Sequence, residues 1–162
     1  MRLTGALTAA CLLQLVGPSS AITTTTTTFT ATITLAATCT INSASTLNFG
    51  SAGVLTANVD QTSTIAVQCT DTTPYSIGLD AGTGTGATVT VRKLTSGGAT
   101  VNYTLYSDSG RTTVWGNTPP TDTVAATGNG ASQSYTVYGR VPAQTTPAPG
   151  TYTDTVTVTV SY

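Results

Sequence analysis

Apolar and polar residues alternate along two stretches near opposite ends of this chain of 162 residues. In residues 151–162, Tyr152, Val156, Val158 and Val160 interleave with Thr151, Thr153, Thr155, Thr157 and Thr159. This is the period of two by which a strand buries one face and wets the other. With no chain following it, the run reads as the closing strand of a sandwich, beside an open sheet edge. Residues 29–35 repeat the pattern, with Phe29, Ala31, Ile33 and Leu35 set between Thr28, Thr30, Thr32 and Thr34. Only Ala36, Ala37 and Thr38 separate this arm from Cys39, so it has little slack to turn back, and its natural partner is the open edge of another molecule.

Between the two runs the chain reads as short strands punctuated by turns. Residues 39–41 and 46–49 predict two pieces of a first strand, broken at Asn42-Ser43 and ended by Gly50. Residues 62–69 predict a second strand and residues 75–79, after Pro74, a third. A loop carrying Gly82, Gly84 and Gly86 precedes a fourth at 88–94. Ser96-Gly97-Gly98 signals a hairpin into Val101, Tyr103 and Leu105, and Asp108-Ser109-Gly110 turns the chain into a short segment at 112–115. Residues 117–129, with Pro119 and Pro120, read as a long polar connection. Residues 132–141 predict a strand with Tyr135 and Val137 on one face and Tyr138 and Arg140 on the other, and residues 142–150 a proline-rich loop. No stretch sustains a helical period with caps, so the fold predicted is an all-β antiparallel sandwich.

Composition adds compartment and excludes chemistry. Arg2, the apolar run 7–16 and the small residues Ser19-Ser20-Ala21 predict a signal peptide over 1–21, cleaved between Ala21 and Ile22. A mature chain of 141 residues would follow: an extension at 22–38 opening on six threonines, then a domain at 39–162. No apolar run reaches the length of about 20 residues that spans a bilayer, so stable membrane insertion is not expected. Two cysteines survive cleavage, Cys39 and Cys69, and an even number in an exported chain argues for one disulfide. A metal site is not expected from two lone cysteines without histidine.

After cleavage four cationic side chains face six aspartates, a net charge of about −2, which rules against a nucleic-acid partner. The chain has no histidine and no glutamate, so no acid–base pair or triad can be assembled from spacing, and neither enzyme activity nor a cofactor is expected. The glycines at 82–86 lack the lysine and helix of a phosphate loop. Tyr75, Tyr103, Tyr106, Tyr135, Tyr138 and Trp115 read as core and rim packing.

The order of several short pieces carries a resemblance. These are Cys39-Thr40-Ile41, Leu47-Asn48-Phe49-Gly50, Val67-Gln68-Cys69, Pro74-Tyr75-Ser76-Ile77, Leu105-Tyr106-Ser107-Asp108 with Arg111, and Val114-Trp115-Gly116. Val137-Tyr138-Gly139-Arg140-Val141-Pro142 and Gly150-Thr151-Tyr152-Thr153-Asp154-Thr155-Val156 complete the set. Together they resemble the spore coat protein U-like family, the subunits of archaic chaperone-usher pili, from Cys39 to Tyr162.

The resemblance implies an incomplete immunoglobulin-like sandwich that lacks its seventh strand. It further implies a periplasmic chaperone that lends the missing strand and an outer-membrane usher at which the arm of a neighbouring subunit replaces it. Phe29, Ala31, Ile33 and Leu35 would be the core-facing donor residues, and Tyr152, Val156, Val158 and Val160 would line the acceptor edge. The protein would then pass through the periplasm into an extracellular pilus or surface fibre. The competing expectation is a monomeric secreted binding or coat protein with a complete sandwich, which would need no chaperone.

Overall fold

The computed structural model describes Gly17 and residues 20–162, so most of the expected signal peptide lies outside the described residues. The chain divides into two units, 1–34 and 35–162. In the first, residues 20–34 form neither helix nor strand, and Phe29 and Ile33 are 92% and 84% exposed.

The second unit contains every strand found among the described residues: β1 (Cys39–Ala44), β2 (Val59–Cys69), β3 (Pro74–Leu79), β4 (Arg92–Ser96), β5 (Ala99–Tyr106), β6 (Val124–Thr127), β7 (Ser132–Val141) and β8 (Val158–Ser161). They make a five-stranded sheet in the order β1-β2-β7-β5-β4 and a three-stranded sheet in the order β6-β3-β8, with every pairing antiparallel. No helix occurs among the described residues. The fold is therefore the all-β, immunoglobulin-like sandwich that the sequence predicts.

Period-two burial sets the core. Ile65 and Val67 from β2, Val101, Tyr103 and Leu105 from β5, and Val137 and Val141 from β7 are buried and face Tyr75, Ile77 and Leu79 from β3. Trp115 closes the core between the sheets: its indole N–H donates to the Ile77 carbonyl at 2.8 Å and its backbone N–H to Leu105 at 2.9 Å. The β4–β5 hairpin turns on Gly97 and Gly98, whose φ values of 52° and 90° are both positive, as the tight turn that matches strand twist requires.

Several boundaries differ from expectation for identifiable reasons. Asn42-Ser43 does not end β1, because the extra residue is absorbed as a bulge between Ile41 and Ser43. Residues 46–49 form no strand; Leu47 and Phe49 instead pack inward on the core from irregular chain. The fourth strand starts at Arg92, since Thr88 and Val91 close a local turn upon each other. The connection expected over 117–129 contains β6, whose register against β3 runs from Pro74↔Thr127 to Ile77↔Val124. The closing run is a regular strand only over Val158–Ser161, because residues 151–157 change partner. Thr153 bridges to Thr95 of β4, whereas Val158 onward pairs with β3.

Candidate functional site

In residues 151–162 one parity sets both faces and edges. Thr153 exchanges backbone hydrogen bonds with Thr95, and the Thr157 carbonyl accepts from Asp80 N–H at 3.1 Å, so the odd positions turn their polar backbone groups toward β4 and β3. The even positions turn theirs the other way. Among the described residues the N–H groups of Tyr152, Asp154 and Val156 find no partner, and β8 has a hydrogen-bonded neighbour on one side only. The side chains of Tyr152, Asp154, Val156, Val158 and Val160 all point inward yet stay half-buried. A strand edge that is unpaired and an apolar face that is uncovered thus coincide.

Facing that edge across a groove is the chain that leaves β1. Two contiguous cavities, of about 320 and 760 Å³, occupy the gap. The first is floored by the inner face of the larger sheet, with Ile65, Leu105 and Val137, and bounded by Val156 and Val158. The second extends along Leu55, Val101, Val141, Pro149 and Tyr152. Leu47 and Phe49 stand on the lip opposite residues 151–158, Phe49 meeting Tyr103 edge-on with ring centroids 6.0 Å apart. Their seat is Gly139 of β7. A Cβ there would come within 2.5 Å of Leu47 Cδ2 and 2.9 Å of Phe49 Cζ, so with any larger residue these two side chains would have to shift.

A carboxylate, that of Asp154, lines both cavities. Asp154 Oδ2 accepts from the Tyr103 hydroxyl at 2.8 Å, while Oδ1 accepts from Thr83 N–H at 2.7 Å, Thr83 Oγ1 at 2.9 Å and Thr155 N–H at 2.8 Å. Burial, followed by the bond to Asp154, pushes the Tyr103 hydroxyl well above the usual tyrosine range. Arg140 contributes elsewhere, with two bonds of 2.8 Å to Asp60 on the exposed side of the large sheet. Among the described residues no three aspartates or cysteines gather as metal ligands.

Cys39 and Cys69, at opposed positions of β1 and β2, are joined by the expected disulfide. It fixes β1 to the sheet from its first residue. Of the expected acceptor residues, Tyr152, Val156, Val158 and Val160 share one face, and the structure adds Asp154 to it. Asp154 had a visible signal, since it falls on the even positions of the alternation. Leu47 and Phe49 were legible as apolar but not as a lip, because their position depends on Gly139, some 90 residues later in the sequence.

A profile of the Spore Coat Protein U domain matches residues 25–159. The chain belongs to the Spore Coat Protein U domain family. That match takes in residues 29–35 as well as both sides of the groove. "Protein U" of Myxococcus xanthus is 35% identical over 129 residues, covering 72% of this chain and 72% of that protein. The Spore Coat Protein U domain here also resembles a chain in the crystal structure of the CsuC–CsuE chaperone–tip adhesion subunit pre-assembly complex, from the archaic chaperone-usher Csu pili of Acinetobacter baumannii. That similarity has a TM-score of 0.58 at 27% identity and covers 80% of this chain and 40% of the other. The chain thus spans about 40% of the length of that structural relative.

Proposed function

We propose that this protein is a non-enzymatic structural subunit of an extracellular pilus or surface fibre, polymerised by donor-strand exchange. In this reading a periplasmic chaperone first occupies the groove and delivers the subunit to an outer-membrane usher, where the arm of a neighbouring subunit takes its place. The observation that carries the reading is the coincidence at residues 152–160 of free backbone groups with half-buried apolar side chains. An added strand satisfies the first by hydrogen bonding and the second by burial.

Residues 29–35 have the pattern of such a strand, with apolar residues on alternate positions. Burying Phe29, Ile33 and Leu35 would contribute on the order of 5 to 9 kcal/mol before backbone hydrogen bonds are counted. This is comparable with the whole stability of an ordinary domain, so the joint would be durable. Family membership and the likeness to a chain of a chaperone–subunit complex support the same reading.

The test is assembly of the full chain, exported and purified, followed by size-exclusion chromatography with light scattering. Phe29→Asp and Ile33→Asp are expected to abolish polymers while leaving a chaperone-bound subunit, and Thr30→Ser is expected to change neither. Polymers formed by the Asp variants, or a wild-type chain that remains a stable monomer without a chaperone, would overturn the reading in favour of a self-sufficient sandwich.

A further inference from the structure

Each of the two sheets has two edge strands, and three of these four edges are interrupted or engaged. The bulge between Ile41 and Ser43 breaks the register of β1. Thr153 bridges to Thr95 along β4. The edge of β8 continues the groove. The fourth edge, β6, differs from all of them. Residues 124–127 contain no charged residue, no proline and no register shift, the features by which sheets keep their edges from pairing.

Parity fixes which backbone groups of β6 are free. Pro74 has no N–H, so Pro74 and Thr127 cannot exchange both ladder bonds. Bonded and non-bonded pairs alternate in an antiparallel ladder, which makes Tyr75 with Ala126 and Ile77 with Val124 the bonded pairs. The N–H of Gly128, donating to the Thr73 carbonyl at 2.8 Å, continues the same alternation. The N–H and C=O groups of Ala125 and Thr127 therefore face away from β3, and both residues are exposed. Among the described residues no other backbone group bonds to them.

We propose that β6 pairs antiparallel with β6 of a second copy, about a two-fold axis at Ala126, and so joins neighbouring fibres side by side. The proposal rests on the donor-strand reading for the fibre itself and adds a contact between fibres. A second copy fits because Ala125 and Thr127 lie symmetrically about Ala126, so each strand offers the donors and acceptors that the other needs. Ala125 of either copy then meets Thr127 of the other, and all the free groups are used in four hydrogen bonds. Ala126 faces its own counterpart in a non-bonded pair, where Cα atoms come within about 4.5 Å and a methyl group suits the space. No like charges oppose each other within the paired strands. A strand of four residues buries far less than the roughly 1,200 Å² of a stable interface, so single subunits stay apart. Two fibres repeat the contact along their length, and the repeats bind together.

The experiment compares fibres of the full chain by low-speed sedimentation and negative-stain electron microscopy. Wild-type fibres are expected in bundles, and Ala125→Ser is expected to bundle equally. Ala125→Pro removes an outward N–H, and Thr127→Lys sets a charge on the edge; neither touches a bond to β3. Both are expected to give single fibres of unchanged length and to lower the sedimented fraction about tenfold or more. Should Ala125→Pro reduce the yield of folded chain, Thr127→Lys decides alone. Unbundled wild-type fibres, or Thr127→Lys fibres that bundle as wild type, overturn the proposal and leave the donor-strand reading standing. That reading fails separately, if Phe29→Asp and Ile33→Asp chains polymerise.

Discussion

Arg92 is fully buried, yet no carboxylate bonds to it. Its guanidinium instead donates to four carbonyls: Asp80 at 2.7 Å, Val89 at 2.7 Å, Leu79 at 2.8 Å and Trp115 at 2.8 Å. Burial lowers its pKa, and Tyr103 and Asp80 partly oppose that fall. The planar fork reaches several acceptors at fixed angles, which a lysine ammonium cannot do. Both Arg92→Met and Arg92→Lys are therefore expected to lower unfolding stability, by about 3 kcal/mol for the former, as measured by denaturant titration. The sequence shows Arg92 only as one of five cationic residues, because its acceptors come from four separate positions.

Asp80 illustrates a titrating contact at the same scale. Burial pushes its carboxyl up, but hydrogen bonds from Thr157 and from Gly82 N–H outweigh this and hold it below the ordinary value. A carboxylate with a depressed folded pKa stabilises fully above the unfolded value of about 4 and loses that contribution as pH falls through the folded one. Asp80→Asn is expected to cost about 1 kcal/mol at pH 7. The difference from wild type should shrink below pH 4, which thermal melts across a pH series would check. A gap that stayed constant with pH would mean that the carboxylate charge is not what matters.

At the scale of elements, strands with their own alternation were readable. The β4–β5 hairpin is announced by Gly97-Gly98, and β7 by Tyr135 and Val137 set against Tyr138 and Arg140. The strand β6 was not, since Val124-Ala125-Ala126-Thr127 is short, weakly apolar and preceded by Pro119-Pro120; only its pairing with β3 makes it a strand. Leu47 and Phe49 show a third case. Their apolar character predicted burial, but a strand pattern of two large residues around Asn48 was realised as irregular chain, its two side chains packed over Gly139 rather than its backbone paired with a strand. The groove was legible on the side of residues 151–162 and illegible on the opposite side for that reason.

At the scale of the molecule, the two sheets leave an open edge where local alternation and long-range pairing part company. The alternation of residues 151–162 is a property of the sequence alone, whereas the switch from Thr95 to β3 as partner is a property of the packed sandwich. Polymer formation by the full chain and its loss on Phe29→Asp or Ile33→Asp both belong to this scale. Each concerns a complete second molecule rather than any contact within one.

The disulfide described between Cys39 and Cys69 has a mechanical consequence. Cys39 is the first residue of β1, so a pull transmitted along the chain from residues 29–38 enters the sandwich at that point. With the cross-link closed, tension passes directly to the end of β2, and β1 is not peeled away one hydrogen bond at a time. In single-molecule extension from residue 29, the oxidised protein is expected to hold to higher force than the reduced one, whose first event should be release of the six residues of β1. Equal rupture forces in the two states would show that the load takes another route.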